Sequence, residues 1–163
     1  MKWIVVLCCF FTLSASAQTL PNLELIKLDV AADYGKAEPF VLQTANYLLT
    51  VKFDMENKDR VSAIRFLVKW MSGTPGHSFR MDETASKIAK GNEDVLGVYM
   101  AGMVKYTLEH KDESKDFKQV KLHAIEYVIQ YCQDETHKLK MTKALKKLAE
   151  AKEKGTLAEA IEN

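Results

Sequence analysis

Apolar residues recur at steps of three and four residues along most of this chain, and that period constrains the fold more than any other feature. The clearest run has one helical face made of Phe117, Val120, Lys121, Ala124, Val128 and Cys132, with Ile125 and Ile129 beside it. Such spacing places side chains on one face of an α-helix, whose period is about 3.6 residues. No segment of the sequence shows the bounded alternation of apolar and polar residues that is typical of a half-buried strand. The sequence therefore predicts an all-α fold.

Turn and cap residues divide the pattern into separate helices. The predicted segments run from Glu38 to near Phe53, from Asn57 or Asp59 to Met71, from Glu83 to Lys90, from Asn92 to about Glu109, from Asp112 or Ser114 to Cys132, and from Thr136 to Gly155. Pro39 fits the first turn of a helix, where its missing N–H is not needed. Asp82 fits an N-cap, and Gly91 fits a left-handed C-terminal position. Thr156 and Glu159 have the spacing of a capping box for a short terminal turn.

The predicted connections after His110 and Tyr131 are only a few residues long, which makes the helices that they join antiparallel neighbours. We therefore expect a single domain of about five to six antiparallel helices, arranged as an α-hairpin stack or an irregular bundle. This domain is predicted to span residues 36–163, and residues 18–35 are predicted to form an N-terminal arm with short helical pieces.

The first 17 residues have the pattern of a cleavable secretory signal. Lys2 gives a positive start, residues 4–13 are almost all apolar, and residues 14–17 are small. The apolar run is much shorter than the roughly 20 residues that a membrane-spanning helix needs. We expect cleavage between Ala17 and Gln18, and an exported protein located in the periplasm or outside the cell.

Removal of the signal would leave 146 residues, an ordinary size for one domain. Because Lys2 is lost, 22 basic and 22 acidic residues balance, which argues against a nucleic-acid-binding protein, since such proteins have a strongly basic face. Cys132 is then the single cysteine, so the mature chain can form no internal disulfide. Small secreted animal proteins usually carry several disulfides, and the chain has no Asn-x-Ser/Thr sequon. Both observations favour a bacterial envelope or secreted protein.

The segment from Trp70 to Phe79 is the most distinctive local motif, because it joins an apolar helix end to a Pro-Gly turn and then to a histidine. One interpretation is a recognition loop, since loops on rigid scaffolds often carry binding residues. Its candidate contact residues are Trp70, Thr74, Pro75, His77 and Phe79. The more ordinary interpretation places Trp70 and Phe79 in the core, with a type II turn that leaves His77 at a solvated tip.

Lysines crowd the last long predicted helix. They are Lys138, Lys140, Lys143, Lys146 and Lys147. A basic amphipathic helix can lie on an anionic membrane surface or hold an acidic partner. The ordinary interpretation is a solvated helix face, because glutamates follow closely and dilute the positive charge.

Candidate catalytic and metal-binding residues are few. His123 and Glu126 lie one helical turn apart and could face one metal ion, but a usable site needs about three or four ligands. Cys132 continues an apolar stripe, which predicts a buried thiol rather than a nucleophile. No nucleophile elbow, zinc-protease motif or phosphate-binding loop occurs in the sequence. The sequence therefore predicts no metal, no cofactor and no catalytic residue.

Gly97, Ala101 and Gly102 form a seam of small residues in the helix predicted after Asn92. Each glycine in a helix costs about 1 kcal/mol relative to alanine. We therefore expect that these glycines permit close packing against neighbouring helices.

Four stretches together resemble a group of short exported bacterial proteins of unknown function. They are Ala15 to Gln18, Phe66 to Pro75, Leu96 to Ala101, and Ala151 to Leu157. The resemblance covers most of the chain after the signal. It implies a helical protein of the cell envelope and brings no activity, cofactor or catalytic residue with it.

The sequence thus predicts a secreted or periplasmic helical protein that acts by contact with another protein or an envelope component. The contact surface is expected to be the Trp70 to Phe79 segment or the basic helix, and weak contact with a membrane surface is compatible with the latter. One alternative is a metal-dependent protein or enzyme that uses His77, His123 and Glu126. Another is a small-ligand carrier whose inter-helical cavity is lined by Tyr99, Met100 and Met103.

Overall fold

A computed structural model describes residues 20–162 of the chain. Over these residues the backbone forms α-helices and no strand, which confirms the predicted all-α fold. The helices are α1 (Ala31–Thr50), α2 (Lys58–Gly73), α3 (Glu83–Ala89), α4 (Val95–Glu109), α5 (Phe117–Gln133), α6 (Lys143–Glu153) and α7 (Leu157–Ala160). Short 3-10 helices, Leu23–Leu25 and Glu135–His137, precede α1 and follow α5. The predicted signal and its cleavage site at Ala17 and Gln18 lie outside the described residues.

Helix α4 is the central element of the fold, in contact with α1, α2, α3 and α5. Eleven of its 15 residues are buried. A helix surrounded in this way must be apolar on nearly all sides, and residues 95–104 carry no charge. Gly97 faces α2 and Gly102 faces α5 at close range, so the predicted packing role of these glycines is confirmed.

The core has two parts that meet at α4. One part lies between α3, α4, α5, α6 and α7 and includes Tyr99, Met103 and Ile125. The other lies between the N-terminal segment, α1, α2 and α4 and includes Leu67 and Trp70. Each large apolar side chain that is fully buried contributes about 1.5–3 kcal/mol. In the sequence from residue 20 to residue 162, no helix is both long and apolar enough to cross a membrane.

The first helix begins earlier than the sequence predicted, at Ala31 rather than Glu38, so the end of the predicted arm is helical. The side chain of Asp33 accepts hydrogen bonds from the backbone N–H groups of Asp29 and Val30, both at 3.2 Å. A helix start leaves such donors without a partner inside the helix. The Asp33 carboxylate therefore stabilises a start that the apolar period alone does not reveal.

Pro39 consequently lies in the interior of α1 instead of in its first turn. Because proline has no N–H, the carbonyl of Gly35 loses its helical donor. Both residues are exposed, so water can reach that carbonyl. The helix ends at Thr50, somewhat before the predicted end near Phe53.

The last long helix begins later than predicted. Thr136 lies only in a 3-10 turn, and Lys138 then adopts a left-handed conformation with φ 60°, which interrupts the helix. Thr142 is the true N-cap of α6, because its hydroxyl accepts from the N–H of Leu145 at 3.2 Å. The lysines at 138 and 140 therefore precede the helix on which they were predicted.

Two further helix starts differ from the prediction. Asp94 rather than Asn92 precedes α4, since the Asn92 amide donates at 2.9 Å to a backbone carbonyl just ahead of α6. Asp116 caps α5 by accepting backbone hydrogen bonds, a role predicted for Asp112 or Ser114.

Other predicted helix ends are confirmed. Asn57 caps α2, Asp82 caps α3, and Gly91 has the left-handed φ of 87° that glycine adopts readily. The capping box predicted at Thr156 does not form, because its hydroxyl donates instead to the carbonyl of Ala151 at 3.3 Å.

Candidate functional site

The Trp70 to Phe79 segment folds against the core and turns its rings inward. Trp70 is fully buried, and its indole Nε1 donates to the carbonyl of Tyr34 at 3.1 Å. The Trp70 ring centroid lies 5.6 Å from that of His77 and 5.8 Å from that of Phe79. Phe79 is partly buried and packs against both parts of the core. Trp70 and Phe79 therefore hold the segment in place and are not free to anchor a partner.

His77 is fixed by an ion cluster around Glu38. The Nε2 atom of His77 lies 3.0 Å from one carboxylate oxygen of Glu38, and Nζ of Lys111 lies 3.1 Å from the other. Burial alone raises the pKa of Glu38, but the hydrogen bonds from His77 and Lys111 outweigh it and hold that pKa below its ordinary value. The cluster joins the segment to α1 and to the turn between α4 and α5.

Solvent reaches the small residues of the segment rather than its rings, since the exposed positions are Ser72, Gly73, Pro75, Gly76 and Ser78. Pro75 is exposed and Thr74 is half-buried. Pro75 and His77 border a pocket of about 420 Å³ that Arg80 and Phe117 also line. The guanidinium carbon of Arg80 lies 5.7 Å from the ring centroid of Phe117. A binding role for this segment would depend on that pocket and not on the buried rings.

The residues of the metal alternative lie in separate contacts. Nδ1 of His123 lies 2.8 Å from Glu126, whose other carboxylate oxygen lies 3.4 Å from Nζ of Lys152. His77 pairs instead with Glu38. Among residues 20–162, no group of three or more His, Cys, Asp and Glu side chains is arranged to hold a metal ion. The structure therefore does not bring His77, His123 and Glu126 together.

Tyr106 forms a ring stack that sequence reasoning missed. Its ring lies between those of His110 and His123, with centroid distances of 4.3 and 4.2 Å and nearly parallel planes. Burial, followed by the hydrogen bond that the hydroxyl donates to Glu113, raises the pKa of Tyr106 to about 12. The phenol is therefore protonated at neutral pH, and the stack joins α4 to α5.

Two of the three residues of the carrier alternative, Tyr99 and Met103, lie in the core. Tyr99 and Met103 are fully buried, and Met100 is half-buried. Burial raises the pKa of Tyr99, whose hydroxyl has no hydrogen-bond partner within the described part of the chain. Tyr99 and Met103 pack with buried residues of the neighbouring helices.

Cys132 is a half-buried free thiol packed against the core. Burial raises its pKa to about 11. Because the thiolate is the nucleophilic form, this setting disfavours a reactive cysteine.

A groove of about 810 Å³ opens between α3, α6 and α7 and combines an apolar floor with positive edges. The floor consists of Ile88, Ala144, Leu148, Ala160 and Ile161. The edges carry Lys87, Lys90, Lys143 and Lys147. Ile88, Leu148 and Ile161 are buried, whereas all four lysines are exposed. We refer to this site as the lysine groove.

Side-chain hydrogen bonds hold the walls of the lysine groove. At one end, the hydroxyl of Thr142 donates to the carbonyl of Ile88 at 2.8 Å and thus joins α6 to α3. At the other end, the hydroxyl of Thr84 donates to the carbonyl of Ile161 at 3.4 Å and joins α3 to the residue after α7. Gly155, with a φ of 72°, allows the chain to turn back between α6 and α7.

The positive charge of the lysine groove is only partly compensated. Nζ of Lys87 lies 3.5 Å from Glu83 on the same helix. Within residues 20–162, no carboxylate lies within 4.0 Å of Lys90, Lys143 or Lys147. Such exposed charges interact weakly in water, and their attraction for an anion increases when a partner excludes water.

The structure divides the predicted basic surface. Lys143 and Lys147 line the lysine groove, whereas Lys146 lies on the same helix but outside it. Lys138 and Lys140 precede α6 and do not line the groove.

Sequence reasoning missed Lys87 and Lys90, which complete the groove from α3. Their placement beside α6 depends on tertiary packing, which spacing within one helix does not reveal. The available signal was local: two lysines flank Ile88 at nearly one helical turn, so the polar and apolar faces of α3 meet there.

No family model matches the chain, and comparisons with curated proteins and with solved structures also found no match.

Proposed function

We propose that this protein is an exported, non-catalytic binding protein and that the lysine groove is its working surface. The partner is expected to combine apolar groups with negative charge. The single observation that carries this proposal is the set of lysines without carboxylate partners, Lys90, Lys143 and Lys147, at the edge of an apolar cleft. Apolar contact contributes about 25 cal/mol per Å² of buried surface, and the lysines select an anion.

The Trp70 to Phe79 segment is the weaker candidate surface. Its two large rings are engaged in packing, and His77 is held by Glu38. Removal of these contacts to reach a partner would cost core stability. The lysine groove needs no such rearrangement, because its lysines are already exposed.

Export is supported by the sequence pattern of residues 1–17 and by the resemblance to short exported bacterial proteins. A non-catalytic role is supported by the positions of the candidate catalytic groups. Cys132 has a raised pKa, and His123 and Glu126 pair with each other away from His77. No enzyme family matches the chain.

The proposal is tested with anilinonaphthalene sulfonate, a dye that carries both an apolar ring system and an anion. We expect the native protein to enhance its fluorescence with saturable binding. The Lys143→Glu/Lys147→Glu double variant should bind roughly tenfold more weakly, because each charge reversal at the groove edge costs about 0.5–1 kcal/mol of binding free energy.

A matched control carries the same charge change outside the groove, as Lys140→Glu/Lys146→Glu. It should bind the dye as the parent protein does. Circular dichroism of both double variants checks that they remain folded. Equal affinity of parent and groove variant, or no saturable binding to the native parent below about 1 mM dye, would contradict the proposal.

A further inference from the structure

We propose that the lysine groove binds an acidic amphipathic helix of a partner protein. This inference rests on the proposed function, because it names the occupant of the same groove. The arrangement of the four lysines, the depth of the apolar floor and the length of the walls support it.

The lysines come from both walls of the groove. Lys87 and Lys90 lie three residues apart at the end of α3, and Lys143 and Lys147 lie four residues apart on α6. Each wall therefore presents two ammonium groups about one helical turn apart. A helix with glutamates on both sides of an apolar stripe repeats its charges at the same interval, about 5.4 Å per turn. Docked along the groove, such a helix places one row of carboxylates beside each wall.

A single-chain amphiphile fits this charge pattern less well. Its anionic group is at one end, so it can neutralise lysines at one end of the groove only. The lysines at the other end would then gain no anionic contact from this ligand. An amphipathic helix instead matches the groove along its length, with apolar side chains on the floor and carboxylates at both edges.

A bilayer surface also fits less well, because the apolar floor is recessed. Ile88 is 0% exposed and Ile161 is 6% exposed, whereas all four lysines are exposed. In the described part of the chain, the large apolar residues that are exposed lie elsewhere, so none projects from the groove edge. A flat membrane would touch the lysines without reaching the floor.

The length of the walls limits the strength of the contact. Helix α3 has seven residues and is therefore about 10 Å long. A partner helix would contact it over about two turns, which gives an interface below the roughly 1,200 Å² of a standard stable complex. We therefore expect reversible, salt-sensitive binding in the micromolar range or weaker.

The test uses a fluorescein-labelled synthetic peptide of about 18 residues with leucines at helical spacing and glutamates on both flanks. Fluorescence anisotropy at low salt should show binding to the parent protein. Two variants should each weaken peptide binding severalfold or more, because each removes positive charge from one wall. They are Lys143→Glu/Lys147→Glu and, separately, Lys90→Glu. Lys140→Glu/Lys146→Glu should leave peptide binding unchanged. A peptide of the same composition, scrambled to remove the apolar face, should bind much more weakly.

A charge exchange tests the arrangement with two walls. A second peptide carries lysines on one flank and glutamates on the other. It should bind the parent more weakly than the acidic peptide does and should regain affinity for Lys143→Glu/Lys147→Glu. Failure of this rescue would overturn the predicted register of one charged row on each wall.

Two further probes separate this inference from the proposed function. If dodecanoate or phosphatidylglycerol vesicles bind at the lysine groove and the acidic peptide does not, the helical partner is wrong while the binding function stands. Equal binding of the amphipathic and scrambled peptides also overturns the helical partner. If neither the peptide, dodecanoate, the vesicles nor the dye binds, the proposed function fails as well.

Discussion

Gly102 on α4 lies so close to Ala124 on α5 that a Cβ on Gly102 would lie 3.1 Å from both the Cα and the carbonyl oxygen of Ala124. These are backbone atoms, so the neighbouring helix as a whole would have to move. Gly97 on the same helix has a different neighbour, since its added Cβ would lie 2.9 Å from Cδ1 of Ile64, the far end of a flexible side chain. The same substitution at the two positions therefore tests two kinds of packing.

We expect Gly102→Ala to lower the free energy of unfolding by about 1–3 kcal/mol, the usual cost of overpacking, in spite of the better helix propensity of alanine. Gly97→Ala should cost clearly less, because Ile64 can change its rotamer. Urea unfolding, monitored by the helical circular dichroism signal at about 222 nm, measures the free energy of unfolding of both variants. A Gly102→Ala protein as stable as the parent would show that α4 and α5 can separate without loss.

Arg60 on α2 is 2% exposed, yet within residues 20–162 no carboxylate lies within 4.0 Å of its guanidinium. Its Nη1 donates to the carbonyl of Leu48 at a long 3.5 Å, and its Nη2 has no hydrogen-bond partner among the described residues. The ring centroids of Phe53 and Tyr131 lie 5.2 and 5.9 Å from the guanidinium carbon. Contact between the cation and these rings offsets part of the cost of burying the charge.

We expect Arg60→Met to keep the free energy of unfolding within about 1 kcal/mol of the parent or to raise it, because methionine fills similar space without a buried charge. Arg60→Ala should instead lower it by about 2–4 kcal/mol, because it leaves a cavity. Thermal and urea unfolding of both variants measure the difference. A loss of more than about 2 kcal/mol in Arg60→Met would show that the ring contacts make the buried cation stabilising.

The helical elements could be predicted from sequence because their apolar period and most of their caps are local properties. Asn57 and Asp82 cap the helices that directly follow them. The start of α6 could not be predicted in this way, because it depends on a distant contact. The two ring nitrogens of His137 lie 3.0 and 3.1 Å from the carbonyl oxygens of Tyr131 and Thr50, which holds the chain in a 3-10 turn where a helix was predicted.

For a similar reason, the sequence predicts only the α6 side of the lysine groove. Lys143 and Lys147 are visible as a basic stripe on one helix. Their partners across the groove come from α3, more than fifty residues earlier in the chain, and meet them only after α3 packs on α6. Conversely, Trp70 has the residue type of a partner anchor, but its burial against Tyr34 depends on a helix start that the sequence did not reveal.

Glu38 should make stability depend on pH in the acid range. Hydrogen bonds from His77 and Lys111 overcome the effect of burial and hold its pKa below the ordinary 4.5. The unfolded chain therefore takes up a proton at Glu38 before the folded chain does, so this contribution is present above about pH 4.5 and is lost as the pH falls through the lower folded pKa.

We expect Glu38→Gln to be less stable than the parent at neutral pH, with the difference shrinking as the pH falls from about 5 to about 3. Asp134 and Glu162 also have lowered pKa values, because Thr136 and Lys118 respectively hydrogen-bond to them. The parent and the variant share the pH dependence of stability that comes from these two groups. Urea midpoints of the parent and of Glu38→Gln, measured at a series of pH values, give the difference in stability at each pH. A constant difference across this range would mean that the Glu38 carboxylate is not held by its partners.

Cys132 should react slowly in the native protein. Burial raises its pKa to about 11, so the thiolate is a much smaller fraction of this side chain near neutral pH than it is in an exposed cysteine. We expect Ellman's reagent to modify this thiol slowly at about pH 7.5 and rapidly once denaturant exposes it. A Cys132→Ala variant is the matched blank, because any other cysteine contributes equally to both samples and the difference between them belongs to Cys132. Rapid modification in the absence of denaturant would contradict the raised pKa of this half-buried thiol and would make a nucleophilic role the next hypothesis to test.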